Sequence, residues 1–141
     1  MKFLRIIFSD QNGPDQFSVP AKEKEWAIPA TCIFSQFTPD TPRAADHLVS
    51  AWLGSETFGF SRLAEVAEIT PKEFQIVINR LAHFLVEQNL ARDLDEAFAK
   101  ATEEADHTAK LANRDIGSIL MVDRIMTKHG VSETFKTVPM A

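Results

Sequence analysis

The sequence has one cysteine and no tyrosine. Cys32 stands alone among 141 residues, so no internal disulfide can form and we expect a cytoplasmic protein. Phenylalanine, by contrast, occurs eleven times. Phe has no hydroxyl that could hydrogen-bond to water or to a polar partner at a half-exposed position. We therefore expect most of these rings in the core. One or two remain to line a pocket or a partner interface.

Clusters of basic residues are also missing, and the net charge is −5 at pH 7. Nucleic-acid binding depends on neutralising phosphates with Lys and Arg, so we expect no nucleic-acid partner. An acidic surface disfavours anionic membranes, and no apolar run is long enough to span a bilayer. Residues 1–8 place Arg5 within an apolar run and offer no small-residue cleavage site, so no signal peptide is predicted.

Motifs of common enzymes are absent as well. The chain contains no Gly-rich phosphate loop, no Gly-x-Ser-x-Gly, no His-Glu-x-x-His and no Cys-x-x-Cys, which would mark phosphate, acyl-transfer, zinc or redox chemistry. We therefore predict no catalytic residue, no metal and no cofactor, and the pattern favours a non-catalytic protein. Sites assembled from distant residues carry no such motif, so an enzyme is not excluded.

The length and patterning predict a single α+β domain over residues 1–141. Strands are predicted near residues 3–8, 16–19, 31–37, 57–69, 118–128 and 131–138, with a turn at Asn12-Gly13 and a bulge near Arg62. Helices are predicted over 42–53 and after two N-terminal capping signals, at Thr70 and Asp93. The order β-β-β-α-β-α-α-β-β favours a mostly antiparallel sheet of five to six strands with three helices on one face.

Four residues are candidates for a binding site. Trp26 and Pro29 lie beside a charged loop, where a Trp commonly anchors an interface; a Trp that folds over the sheet and closes the core is the favoured alternative. Arg62 and Asp123 are the polar groups that could close a pocket between sheet and helices.

Three other groups have a structural interpretation that outweighs a chemical one. His83 and Glu87, one helical turn apart, could hold a metal ion together with His107, but a solvated helix face is favoured. Glu104 and His107 match Glu-x-x-His, although di-iron sites need further ligands, and this pair is also assigned to a solvated face. Cys32 is interpreted as a buried, inert thiol.

Four short segments resemble a known family. They are MKFLR (1–5), EWAIP (25–29), LGSETFG (53–59) and ETFKT (133–137), and together they resemble a family of short, uncharacterised alphaproteobacterial proteins of unknown function. The resemblance spans nearly the whole chain and implies a bacterial, cytoplasmic origin. It implies no activity, substrate or catalytic residue.

Two functions remain open. The preferred hypothesis is a non-catalytic interaction or accessory module that forms a homodimer or joins a protein complex, because Phe is abundant and the chain ends in a long hairpin. The alternative is a small-molecule-binding domain or enzyme with an aromatic-lined pocket between sheet and helices.

Overall fold

The computed structural model describes residues 1–8, 19–43 and 48–139. Within them lie seven strands: β1 (Lys2–Ile7), β2 (Trp26–Ile28), β3 (Trp52–Gly54), β4 (Phe60–Ser61), β5 (Leu63–Glu68), β6 (Ile119–Thr127) and β7 (Gly130–Val138). Three helices accompany them: α1 (Thr31–Phe34), α2 (Pro71–Glu87) and α3 (Leu94–Leu111). The α+β class is confirmed, with seven strands rather than five to six.

The strands form one antiparallel sheet in the order β4-β3-β2-β1-β5-β6-β7. Neighbours along the chain pair in most places, and β6 and β7 form a hairpin from Ile119↔Val138 to Thr127↔Gly130. At the other edge, β4 has only two residues and is followed in the sheet by β3 and β2. The hairpin at the end of the chain is therefore confirmed, with β7 as a long edge strand.

Both faces of the central strands of the sheet are buried. Alternate residues of a strand point to opposite faces, and on β1 Phe3 belongs to one apolar cluster while Leu4 and Ile6 belong to another. The first cluster contains the apolar stripes of α2 and α3; the second contains the central strands and the fully buried Trp52. Helix α3 contributes to both, since Ala112 just past its end lies in the second cluster.

The capping signals are confirmed. The Thr70 hydroxyl accepts the Glu73 N–H and the Glu73 carboxylate accepts the Thr70 N–H, each at 3.1 Å, which satisfies two free amides at the start of α2. The Asp93 carboxylate accepts the Glu96 N–H at 2.9 Å and begins α3. Both signals are local, so sequence spacing alone was enough to place these helices.

The strand predicted over residues 31–37 is wrong, since Thr31–Phe34 forms α1. Ala30, at a φ of 65°, turns the chain out of β2. The Glu104 carboxylate of α3 then accepts the N–H groups of Thr31 at 3.2 Å and Cys32 at 2.8 Å. A carboxylate at the free amides of a helix start stabilises that turn. Because the carboxylate is distant in sequence, the local pattern could not show it.

The helix predicted over residues 42–53 is also wrong at its C-terminal end. Residues 48–51 are not helical and Trp52–Gly54 is β3. The Trp52 indole N–H donates to the Leu120 carbonyl oxygen at 3.0 Å, which ties this segment to the sheet. Residues 44–47 lie outside the described residues, as do the Asn12-Gly13 turn and residues 16–18 of the predicted second strand.

The strand predicted over residues 57–69 is divided at Arg62. Phe60–Ser61 forms β4 at one edge of the sheet, and Leu63–Glu68 forms β5 in its middle, paired with β1 and β6. Residues 57–59 form a loop instead of a strand, with Phe58 at a φ of 54°. The irregularity expected near Arg62 is therefore the point where the chain passes between two positions in the sheet.

Candidate ligand-binding pocket

An open, apolar cavity lies between α1, the C-terminal end of α2 and strands β3 and β4. Its volume is about 330 Å³, which is within the range of small-molecule sites, roughly 300–1,000 Å³. Four Phe rings and few polar groups face it; the lining residues are Ala30, Ile33, Phe34, Leu53, Phe58, Phe60, Phe84, Gln88 and Leu90. None of the described lining residues carries a charge, so the cavity suits an apolar group.

One wall of the cavity is the loop between β3 and β4, which a buried carboxylate organises. Glu25 is only 2% exposed. Its carboxylate accepts the N–H groups of Lys22, Glu56 and Thr57 and the Thr57 hydroxyl. Gly54 lies directly below, where a Cβ would be 2.2 Å from the Glu25 carboxylate. These contacts fix the loop that carries Phe58.

The ring of Phe58 stacks on that of Phe84 from α2. Their centroids are 4.0 Å apart and their planes differ by 8°. Such a pair contributes about 0.5–1.5 kcal/mol beyond the area that it buries. The stack joins the β3–β4 loop to α2 and forms one side of the cavity.

Another wall of the cavity is α1, which is held in place by contacts with charged side chains. Besides the contacts from Glu104, the buried Arg124 guanidinium lies 4.3 Å from the centre of the Phe34 ring. It also donates to the Pro29 carbonyl oxygen and, at 2.7 Å, to a Glu133 carboxylate oxygen. Burial lowers the pKa of Arg124 and the Glu133 contact opposes that effect. Arg124 thus contacts the Phe34 ring and is not among the described residues that line the cavity.

Residues with left-handed backbone conformations border the cavity. Ala30 and Phe58 line it with φ values of 65° and 54°, and Asn89, with a φ of 57°, lies between the lining residues Gln88 and Leu90. Non-glycine residues in this region cost of order 1–3 kcal/mol and persist where the surrounding structure imposes them, often at binding sites. The surrounding hydrogen bonds therefore maintain an open cavity at a conformational cost.

A second, polar depression adjoins the first. It has a volume of about 340 Å³ and shares Phe58 and Phe84 with the apolar cavity. Its other lining residues come from α2 and the β3–β4 loop: Glu56, Asn79, Arg80, His83 and Glu87. Arg80 lies 3.4 Å from Glu56. The stacked rings therefore separate an apolar compartment from a charged one.

None of the four predicted binding residues lines the apolar cavity. Trp26 is half-buried on β2, where its indole donates to Glu73 at 3.1 Å and meets the Phe3 ring edge-on. Pro29 is buried and contributes its carbonyl oxygen to Arg124. Asp123, on β6, forms a surface ion pair with Lys136 at 3.2 Å. Arg62 is half-buried between β4 and β5. The structure does not bring these four together.

The sequence did not identify which four Phe residues line the cavity. The excess of Phe over Tyr is the signal that indicated an aromatic-lined site, but it does not say which rings. Three of the four, Phe34, Phe58 and Phe60, lie in segments that the sequence predicts as strands, and Phe84 lies in the helix predicted after Thr70. The first three depend on a helix, a turn and an edge strand that the local pattern does not show.

The surroundings of the histidines, Glu104 and Cys32 do not form a metal site or a reactive thiol among the described residues. Within the described residues, no three His, Cys, Asp or Glu side chains are placed to hold a metal ion. His107 meets the Phe135 ring edge-on, away from the depression that His83 lines. Glu104 is only 3% exposed, so its assignment to a solvated face is wrong. Burial, with the Glu104 charge, raises the pKa of the Cys32 thiol well above its usual range, which indicates an inert thiol.

The comparisons with known proteins identify a family whose function is unknown. A family model described as a family of unknown function (DUF6505) matches residues 1–141. No curated protein and no solved structure matches the chain. Among the described residues, no helix combines the length and apolar character needed to cross a membrane.

Proposed function

Since the chain belongs to this family of unknown function over its whole length, we propose a function from the geometry: the protein binds a small molecule with an apolar body in the Phe-lined cavity. The observation that carries the proposal is an open cavity whose described lining residues include four Phe rings and no charged group. An apolar cavity of roughly 150 Å³ holds benzene. The volume of 330 Å³ is about twice as large and suits a body of two fused rings.

The walls support binding rather than incomplete packing. A packed interior leaves few voids larger than a water molecule, and apolar side chains would normally close this one. Here Glu25 fixes the Phe58 loop and Glu104 fixes α1, so the walls are held apart by hydrogen bonds. A preformed cavity costs a ligand little reorganisation on binding.

The test is titration with the neutral fluorophore phenylnaphthylamine, whose emission rises in apolar surroundings. Saturable binding of one fluorophore per chain is expected. Ile33→Trp fills the cavity from α1 and should weaken binding by about tenfold or more, which corresponds to ~1.4 kcal/mol. Ile76→Trp, on a part-exposed position of α2 outside the cavity, is the matched control and should bind normally.

Thermal unfolding of each variant establishes that the chain is folded. Wild-type protein that shows no saturable binding would contradict the proposal. So would a folded Ile33→Trp variant that binds as tightly as the Ile76→Trp control, because the fluorophore would then occupy another surface.

A second candidate function is self-association through β7. This nine-residue strand lies at the edge of the sheet, paired on one side only within the described residues, and an open strand edge is a template for further pairing. The adjacent β6 carries Ile125, which is 62% exposed. Antiparallel pairing of two copies of β7 would give a two-fold dimer with a continuous sheet.

Sedimentation equilibrium tests this second candidate. A dimer that Ile125→Lys weakens, while Val19→Lys at another exposed apolar position does not, would support association near β7. A strictly monomeric wild-type protein across the accessible concentrations would contradict it.

A further inference from the structure

We propose that the ligand of the Phe-lined cavity carries a protonated amine, which lies in the adjoining polar depression beside His83 and Glu87. This inference depends on the proposed function, since it assigns the chemical class of the same ligand. The two compartments share Phe58 and Phe84. A molecule whose apolar body fills one compartment therefore places an attached group over the stacked rings and into the other.

The first reason for a cation is that hydrogen-bond acceptors face the depression. His83 Nδ1 lies 2.8 Å from the Asn79 carbonyl oxygen. A carbonyl only accepts, so Nδ1 carries the proton and Nε2 of the neutral ring is an acceptor. Glu87 follows four residues later, on the same face of α2. Two acceptors one helical turn apart suit the N–H groups of an ammonium.

The second reason is the charge of the helix end. Glu87 is the last residue of α2, and the last turn contains no basic residue. The C-terminal end of a helix carries a partial negative charge of about half an electron, so a carboxylate there is locally unfavourable and a cation is favoured. Within the described residues, the Glu87 carboxylate makes no hydrogen bond or ion pair. Nothing in these contacts offsets its charge.

Arg80, the one cation among the described residues that line the depression, has a partner. Arg80 lies 3.4 Å from Glu56, and the same carboxylate lies 3.6 Å from Lys22. The described lining residues therefore supply two carboxylates and one guanidinium, an excess of negative charge when His83 is neutral. Aromatic rings add to this preference, since the faces of Phe rings attract cations.

The experiment compares three probes that share one apolar body: naphthylethylamine, naphthylethanol and naphthylacetic acid. Their affinities are measured by isothermal titration calorimetry at low salt and pH 7, where an alkyl ammonium is protonated. The amine is expected to bind about fivefold more tightly than the alcohol, a ratio typical of an exposed charge beside a helix end. The acid should bind more weakly than both, and added salt should reduce the differences.

Glu87→Gln removes the charge and should lower amine affinity by about threefold while leaving alcohol affinity unchanged. Glu68→Gln, at an exposed position of β5 outside both compartments, is the matched control and should leave both affinities unchanged. Because Glu87 has no partner among the described residues and its charge is unfavourable at the helix end, its variant should unfold at or slightly above the wild-type temperature, whereas a damaged fold would unfold at a lower one.

The outcomes distinguish the two proposals. If none of the probes binds, the Phe-lined cavity is not a ligand site and both proposals fall. If amine and alcohol bind equally, or if the acid binds most tightly, the inference about the amine is overturned while the proposed function stands. An amine preference that is undiminished in Glu87→Gln would also overturn it, since another group would then account for the preference.

Discussion

Replacement of Glu25 by Gln is the most informative perturbation of the cavity wall. One carboxylate oxygen accepts the N–H groups of Glu56 and Thr57 at 2.8 and 3.0 Å. The other accepts the Thr57 hydroxyl at 2.7 Å and the Lys22 N–H. A Gln side chain has the same shape but only one acceptor oxygen. The amide NH2 of Gln would replace one of the two oxygens. It would then face two N–H or O–H donors with donors of its own, and those two hydrogen bonds would be lost.

The expected loss follows from those contacts. Hydrogen bonds to a charged group contribute about 1.5–3 kcal/mol each, so two lost bonds give about 3–6 kcal/mol. Lys22 and Thr57 are exposed at the surface, where water can replace part of what is lost. We therefore expect the free energy of unfolding to fall by about 3 kcal/mol, at the lower end of that range. For a chain of this length the melting temperature would fall by about 10 °C.

Urea denaturation at pH 7 measures the effect, and phenylnaphthylamine titration measures its consequence for the cavity. The Glu25→Gln variant should bind the fluorophore more weakly under conditions where it remains folded, because the Phe58 loop loses its anchor. Glu23→Gln, in the same loop but exposed, is the control and should change stability by less than about 0.5 kcal/mol. A change of similar size in both variants would refute the role given to the buried carboxylate.

Three further predictions concern other polar groups. Arg124→Met should lower the free energy of unfolding by about 3–5 kcal/mol in urea denaturation, because it leaves the Glu133 carboxylate without its buried partner; an unchanged midpoint would contradict this. Cys32, whose thiol pKa is raised by burial and then by a nearby carboxylate, should react slowly with Ellman's reagent at pH 8 until urea unfolds the chain, and rapid reaction of the folded protein would be inconsistent with that. Hydrogen bonds from Thr70 lower the pKa of Glu73 below its usual 4.5, so they contribute stability above that pH and lose it as the pH falls through the lowered value. The stability difference between wild type and Glu73→Gln should therefore be present at pH 7 and disappear in acid, and a difference that persists in strong acid would argue against it.

Local signals account for the parts of the fold that could be predicted from the sequence. The Thr70–Glu73 capping box, the Asp93 cap and the alternation of residues in the C-terminal hairpin all operate within a few residues. Each of these features could be predicted from the sequence because the interacting groups lie within one helical turn or one pair of adjacent strands. The α+β class followed from the order of these elements.

Long-range contacts account for the parts that could not be predicted. The segment that starts at Thr31 alternates like a strand, but Glu104, more than seventy residues later, supplies the acceptor that makes it helical (the separations are 73 and 72 residues). Trp52 follows a helical pattern, but its hydrogen bond to Leu120 places it on the sheet. Both misassigned segments border the Phe-lined cavity, so the candidate site was hidden by the same contacts that build it.

The two walls of the cavity are held in place by the same kind of contact. On each side a buried carboxylate from elsewhere in the chain, Glu25 or Glu104, accepts N–H groups of a short segment that would otherwise have free donors. Such bonds are stronger than those between neutral groups, and they hold Phe58 and Phe34 in place without filling the space between them. Apolar packing alone would favour collapse of that space. Fixing the walls by charge and leaving the interior apolar is therefore how this fold can keep an open site for an apolar body.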